Sequence, residues 1–521
     1  MHLLERAAAA LLCAALLTGC ANWAVDMAPD RPDQPWNPAV TATGEIVPGG
    51  KSPIESPSGY VLPANAELAK LPQPLAVDRQ RAYSLPELID IAQMNNPLTR
   101  TAWNEARKVA LAAGIAESAY LPRITAAALG AYLTSEGGSS ASTSALGANV
   151  NINSNTSSTA LGTISVVSLQ WLLFDFGERA AIVDTARQAS VASNVAFTAA
   201  HQQVIYDVSV AFYAYAAARA RAATAAQSLK NAQAVEAAAR DRSKNSIGTV
   251  VEVSQAAQAT AQAKLAVVQS TGAAQDAYLT LISAMGISPL TRIRVADVSR
   301  RRLSPAMSGP VENVIAIALA RRPDVLSAYA LQKASLAKVR AAEAEFLPKV
   351  FLSGNRVYSS GNLNVTAIPS IGDQAATVNL SGGSRTSSTV LLGATVPLYD
   401  AGVRAAMLGQ AQADADNAET MLTRRRNEAV RQIVLSDNAL RTSLSAFSAS
   451  QALSSAAQTT FDAALAAYRN GVGSITDATI AQTQLLQARN SSTDAYSTSL
   501  SAAASLALST GALGSAPPMT R

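Results

Sequence analysis

Two histidines and two cysteines are all that the 521 residues offer for nucleophilic or metal chemistry. His2, Cys13 and Cys20 fall at the amino terminus, which leaves His201 alone in the rest of the chain. A zinc site needs three or four such ligands, and a Cys–His pair or a disulfide needs thiols beyond the leader, so none can be assembled. A Ser-His-Asp triad would have to recruit His201, which sits in an Ala-rich helical pattern and reads as a solvated or interhelical residue. Hydrolysis by carboxylates alone stays open. There is no Gly-x-x-x-x-Gly-Lys-[Ser/Thr], so energy for any transport must come from a partner. The expectation is a chain with no catalytic residue, no cofactor and no metal.

The one cysteine placed to do chemistry is Cys20. An apolar run from Ala7 to Leu17 ends in Leu17-Thr18-Gly19-Cys20. At ~11 residues the run is too short to span a bilayer and fits the core of an export signal over residues 1–19. The tetrad resembles a bacterial lipobox, in which Cys20 would be acylated after cleavage; Ala21 then resembles routing to the outer membrane. Residues 20–82 are dense in proline, at positions 29, 32, 35, 38, 48, 53, 57, 63, 72 and 74. Proline at this density removes amide donors, which predicts an extended, lipid-anchored tether and no domain.

The elements that follow come twice. Asn96-Pro97 answers to Arg322-Pro323, and Tyr120-Leu121-Pro122-Arg123 to Phe346-Leu347-Pro348-Lys349. Leu173-Phe174-Asp175-Phe176-Gly177 answers to Leu398-Tyr399-Asp400-Ala401-Gly402, and Asn245–Glu252 to Asn470–Asp477. The offset stays at about 225 residues, so two copies of one unit are predicted, over 83–300 and 301–510, with a disordered tail at 511–521. Each unit opens with a helix, Leu85 to Ala119 or Pro310 to Phe346, ended by Leu-Pro. Two strands follow, near 123–133 and 163–173 and again near 349–358 and 389–398, separated by Ser/Thr/Asn/Gly-rich stretches. Unbroken helical patterns then run from Gly177 to Asn245 and from Gly402 to Asn470. A Gly/Ser turn reverses each into a last helix, about 250–286 and 475–509. At 1.5 Å per residue the long helices reach ~100 Å, and the two shorter helices of a unit, laid end to end, cover almost that distance. The economical arrangement sets both along the long one as stacked helix pairs.

Composition suits such rods. Apolar residues make up 49% and aromatics only 5%, which favours Ala-rich helices over an aromatic core. Net charge is +5, too weak to argue for nucleic acid. Charged residues at 15% leave much surface that does not face water. Strand 389–398 alternates Val390, Leu392, Ala394, Val396 and Leu398 against Thr389, Leu391, Gly393, Thr395 and Pro397, as a tilted outer-membrane strand does. Four strands cannot close a barrel, and open edges are not viable in lipid, so several chains must share one. Two chains would give eight strands, filled by side chains; three would give twelve, with room for an aqueous lumen.

These residues resemble the TolC-type outer-membrane efflux factors, in particular their lipidated branch. The likeness covers roughly 83–510 and rests on the duplicated helix–Leu-Pro–strand–strand–[Leu/Phe/Tyr]-Asp-x-Gly–long-helix order. Tyr468-Arg469-Asn470-Gly471-Val472-Gly473-Ser474 and its first-copy counterpart complete it. The resemblance implies a mainly α fold with membrane β. A homotrimer would form an α-helical barrel, a shared twelve-stranded outer-membrane β-barrel, and a belt where the shorter helices meet. It implies a passive duct for small molecules that crosses the outer membrane, extends into the periplasm, and is served by a periplasmic adaptor and an inner-membrane pump. The same duct serving type I protein secretion, and a non-spanning periplasmic coiled-coil lipoprotein, stay open. Carried onto this chain, Asp477 falls on an acid ringing the closed periplasmic gate, Glu252 is its first-copy counterpart, and Tyr468 falls on a gate tyrosine. A second family acid is Ile480 here, which suggests an apolar constriction. Gly248, Thr249, Gly471, Val472, Gly473 and Ser474 fall on the adaptor-docking tip. Arg300–Arg302 and Arg424–Arg426 read as solvated faces or belt contacts.

Overall fold

Proline and glycine decide where the helices of this chain begin and end. The computed structural model describes residues 28, 32–33, 36, 38–51, 60–135, 139–145, 148–154, 158–297, 311–361, 365–371, 374–375, 378–380 and 386–514. The export signal, Cys20 and Arg300–Arg302 lie outside the described residues. The chain divides into two compact units, residues 1–76 with 290–292, and 77–289 with 293–521.

In the first unit β1 (Pro38–Val40) pairs antiparallel with β2 (Ile46–Lys51), where a structureless tether was expected. Pro48, Gly49 and Gly50 hid the second strand from its composition. Gly44, at φ +84, closes the turn where a Cβ would lie 2.0 Å from the Ala64 carbonyl oxygen.

The second unit carries the duplication. Copy one holds α1 (Leu85–Asn95), α2 (Pro97–Ser118), β4 (Arg123–Ser135), β7 (Ser158–Phe174), α3 (Glu178–Lys244) and α4 (Val250–Ala284). Copy two holds α5 (Val311–Leu319), α6 (Pro323–Ala344), β9 (Lys349–Gly361), β13 (Thr386–Thr395), α7 (Val403–Arg469) and α8 (Ile475–Ser509). A two-stranded parallel pair, β3 (Ala82–Tyr83) and β8 (Arg294–Val295), is also present.

The expected opening helix of each copy is in fact two. Pro97 and Pro323 occupy the first helical position of α2 and α6, and the residue before each is extended: Asn96 at φ −69, ψ 127 and Arg322 at φ −66, ψ 125. A residue before proline is pushed out of the α region, so the X-Pro pair that marks the repeat also breaks the helix. The shorter helix that meets α4 is therefore α2, while α1 is a separate helix that also packs on α3. Asn96 Nδ2 donates to the Ala284 carbonyl at 3.0 Å, joining the start of α2 to the end of α4. Arg322 Nη1 does the same for α6 and α8 through the Ser509 carbonyl at 2.8 Å.

Strands β4, β7, β9 and β13 form one antiparallel sheet in the order β13-β9-β7-β4. The helices stand in the same order: α2 and α4 pack on α3, α3 on α6 and α8, and these on α7. Among the described residues, sheet and helical layer thus end at the same two elements, β4 with α2 and α4 on one side and β13 with α7 on the other.

The Ser/Thr/Asn-rich stretches between strands, expected as linkers, contain strands too. β5 (Ser139–Ala145), β6 (Ala148–Ser154), β10 (Val365–Ile371), β11 (Gln374–Ala375) and β12 (Val378–Leu380) make a second sheet, with β6 of copy one paired to β10 of copy two. Alternation in Asn149-Val150-Asn151-Ile152-Asn153 carried that signal. At the other terminus Gly511 and Ala512 donate to the Leu508 and Ala507 carbonyls and close α8, so the expected tail is structured there; 515–521 lie outside the described residues.

Candidate functional site

The far end of the helices, opposite the sheet, holds the residues expected at a gate. There one apolar cluster draws on all four helices, with Val235 and Ala239 of α3, Ala256 of α4, Phe461 of α7, and Ile475 and Leu485 of α8. Tyr468 sits inside it at 1% exposure. Its hydroxyl donates to Glu252 Oε2 at 2.9 Å, linking α7 of copy two to α4 of copy one. Arg242 of α3 lies 5.1 Å over the Tyr468 ring, donates from Nη1 to the Tyr468 carbonyl at 3.1 Å, and brings Nε to 3.9 Å from Glu252 Oε2. Burial, and then the hydrogen bond to the Glu252 carboxylate, push the Tyr468 phenol up to about 12. The tyrosine therefore stays a donor. Arg242 was not among the expected gate residues. Its counterpart in copy two is Ala467, so the repeat that exposed the other residues gave no signal for it.

Asp477 and Glu252 are counterparts in the repeat but not in their contacts. Asp477 is exposed, and it shares a capping box with Ser474: Ser474 Oγ donates to Asp477 Oδ2 at 2.7 Å and accepts from the Asp477 amide at 3.1 Å. In copy one Thr249 Oγ1 accepts from the Glu252 amide at 3.2 Å and reaches Glu252 Oε1 at 3.5 Å, but the second carboxylate oxygen, Oε2, takes the Tyr468 hydroxyl. Both acids also suit a helix N-terminus, where the macrodipole favours negative charge. Ile480, one turn beyond Asp477, is half exposed.

The two turns are the same shape built from different residues. Gly471 takes φ +79, and Ser246, its counterpart, takes φ +59 without the freedom of glycine. A Cβ on Gly473 would come 3.0 Å from that of Ala467, and one on Gly248 3.1 Å from that of Arg242, so both glycines let the turn lie close on its helix. Val472, Ile247, Val250 and Val251 project from the turns at 64–83% exposure.

Where sheet meets helix, both copies carry a second construction that sequence reading found only in part. Asp175 Oδ2 accepts from the Arg179 amide and from Arg179 Nε, both at 2.8 Å. Arg179, itself buried, donates on to the carbonyls of Ala119, Leu172 and Leu173 and lies 4.9 Å over the Tyr120 ring. Copy two repeats this with Asp400, Arg404 and the Phe346 ring, Arg404 reaching the carbonyls of Glu345 and Pro397. The chain turns the corner on two left-handed residues, Phe176-Gly177 and Ala401-Gly402. Burial raises the Asp175 carboxyl, but the hydrogen bonds and charge of Arg179 outweigh it and hold the group below its usual range. The arginines were legible as the fourth residue after each Asp, at the repeat offset.

His201 is an interhelical residue: its Nδ1 lies 2.8 Å from Gln93 Oε1 of α1, and its ring packs edge-on against Phe197. Arg424–Arg426 lie exposed on α7. Among the described residues no group of three His, Cys, Asp or Glu is placed to hold a metal, and no helix is long and apolar enough to cross a membrane.

Comparison with known proteins agrees with this arrangement. The outer membrane efflux protein family matches residues 88–287 and 314–512, one block per copy. Protein CyaE of Bordetella pertussis is 27% identical over 358 residues, 68% of either chain. The outer membrane protein OprJ of Pseudomonas aeruginosa is 27% identical over 245 residues, 47% of either chain. Among solved structures the outer membrane protein VceC of Vibrio cholerae superposes with a TM-score of 0.66 at 18% identity, over 82% of this chain and 96% of that one, and so shares the fold. With both copies matched across their helices and strands, the chain belongs to the outer membrane efflux protein family.

Proposed function

We propose that the chain is the outer-membrane duct of a tripartite efflux assembly, a passive homotrimer that carries small molecules from a periplasmic adaptor and an inner-membrane pump to the exterior. One observation carries the reading: among the described residues the sheet and the helical layer leave the same two edges open. A neighbour that places its β4, α2 and α4 against β13 and α7 satisfies strand and helix edges together. Repeating that head-to-tail contact closes a ring. Three chains give twelve strands, the larger of the two closures and the one with room for an aqueous lumen.

Within that duct Tyr468, Glu252 and Arg242 hold the periplasmic end shut by tying the two hairpins of a protomer. The three Asp477 carboxylates and Ile480 side chains form a charged rim with an apolar step beside it. Val472 and the turn built on Gly471, Gly473, Ser474, Gly248 and Thr249 offer a close-lying backbone with apolar projections to a helical hairpin of the adaptor. Cys20 carries the lipid, on the strength of Leu17-Thr18-Gly19-Cys20.

Detergent-extracted protein in a planar bilayer tests the duct. Single-channel conductance from a particle with three subunits end-on is the expected result. A protomer that stays folded and monomeric in plain buffer would overturn it.

A further inference from the structure

Inside the chain, copy one closes on copy two where α3 meets α6 and α8. Thr185 Oγ1 donates to the Ala334 carbonyl at 3.4 Å, and Gln202 Nε2 to the Gly511 carbonyl at 3.5 Å. Further along α3 the Tyr213 and Ser228 carbonyls accept from Ser497 and Gln482 of α8. Tyr213, Ala217 and Ser228 are buried there, as are Ala334 and Ala337 of α6. Their counterparts at the repeat offsets are bare: Asn438, Thr442 and Leu453 on α7, and Lys108 and Leu111 on α2. Leu111 is 67% exposed and Leu453 54%. The two faces that close on each other within the protomer thus recur at its two edges, one on each, uncovered.

The difference between the two editions is charge. Inside the chain Arg340 of α6 pairs with Asp184 of α3 at 2.5 Å, Arg221 with Asp494, and Lys349 with Glu178. The counterparts are Gly114 with Gly409, Ala446 with Gln269, and Arg123 with Val403, and no pair brings opposite charges together. Gly114 and Gly409 are exposed in helix interiors, where glycine costs stability, and a Cβ on either would meet nothing within 4 Å. Packing within the protomer therefore gives no reason for them. Gln410 and Asn427, the exposed counterparts of Thr185 and Gln202, do keep a donor.

We propose that each copy seats its α7 on α2 and α4 of the next copy in the register of the internal joint, as a version of that joint without its ion pairs. The inference rests on the ring reading above. Rotation about one axis keeps every residue at its height. Gln410 then falls on Lys108 of the neighbouring copy, Asn427 donates to its Gly286 carbonyl, and Gly409 stands across from its Gly114. Exposed ion pairs add little stability, but opposite charges across an interface fix its register. Joints within chains are thus held against sliding and joints between chains are free to slide, so a ring of three moves as three rigid blocks.

Disulfide mapping on the full-length trimer in detergent tests the register. Lys108→Cys with Gln410→Cys should give covalent dimers and trimers on oxidation. Lys108→Cys with Asn417→Cys, on the same face but ~10 Å further along α7, should give at least roughly fivefold less. Equal yields, a better yield from Asn417→Cys, or a cross-link confined to the monomer overturns the proposal. Should these variants fail to assemble, the glycine pair decides. Gly409→Asp with Gly114→Arg should raise the temperature at which the trimer dissociates by more than the two single variants together, with the excess lost in about 1 M salt. Strictly additive shifts overturn it too. Conducting trimers linked in another register sink this inference alone, whereas a wild type that forms no trimer sinks the reading beneath it.

Discussion

Tyr468 shows how a single hydroxyl can hold two halves of a protomer together. It is buried among four helices, and its hydroxyl donates to the Glu252 carboxylate. Hydrogen bonds to a charged acceptor contribute about 1.5–3 kcal/mol. Tyr468→Phe keeps the ring under Arg242 and removes the donor, so the open tip should become at least roughly tenfold more populated. Higher conductance in bilayers and faster uptake of large antibiotics are the expected signs; unchanged conductance would free Tyr468 of any gating part. Because its phenol is raised to about 12, this contribution is fully present below the ordinary tyrosine value of ~10 and is lost only as pH rises through about 12. Asp477→Ala should behave differently. It opens the capping box on Ser474 and removes one charge from the rim, so a rise in conductance smaller than that of Tyr468→Phe is expected, with loss of cation preference. Through the repeat the two acids stand as counterparts. Only packing separates them, since Arg242, which helps hold Glu252, is Ala467 in the second copy.

Elements in this chain are ended by rules that act locally, which is why their limits were largely legible. Gly177 and Gly402 start the long helices, and Asn245 and Asn470 end them. The opening helix of each copy divides because Asn96-Pro97 and Arg322-Pro323 mark the repeat and proline also drives its predecessor out of the α region. The corners between sheet and helix depend on contacts across the fold, and there only the Asp-x-Gly half could be read. Arg179 and Asp175 are both buried, so removing one partner leaves a charge uncompensated at a cost of about 3–5 kcal/mol. Arg179→Ala should therefore yield little heat-resistant oligomer, while the exposed Arg425→Ala should leave its yield unchanged. The depressed Asp175 carboxyl adds stability that is present above its unfolded value of ~3.9 and is lost as pH falls through the lower folded value. Denaturation curves below pH 4 should thus flatten in Asp175→Asn.

For the whole molecule, the coincidence of open edges makes a claim about neighbours that one protomer can test. Beyond Cys20 there is no cysteine, so thiols can be introduced into the strands without background from either repeat unit. Pairs of cysteines placed along β4 at Ile124, Ala126 and Ala128, and along β13 at Val390 and Leu392, should oxidise between chains. At least one pair should give covalent trimers on denaturing gels; products that stop at dimers would contradict a three-membered ring. The order of strands in the sheet was not legible beforehand, because alternation reports which face is apolar and says nothing of which strand lies beside which.

Copy one joins α2 to α4 through the neutral amide of Asn96, whereas copy two joins α6 to α8 through Arg322, whose guanidinium is also held by Asp324. Although burial raises Asp324, Arg322 holds its carboxyl below the ordinary range, so that clasp weakens only when acid reaches the lower value. Protons can therefore slacken one half of each protomer's waist and leave the other tight. Amide exchange in strongly acidic buffer, corrected for intrinsic rates, should rise around Ser509 before it rises around Ala284. Around a closed ring, alternate staves would loosen first.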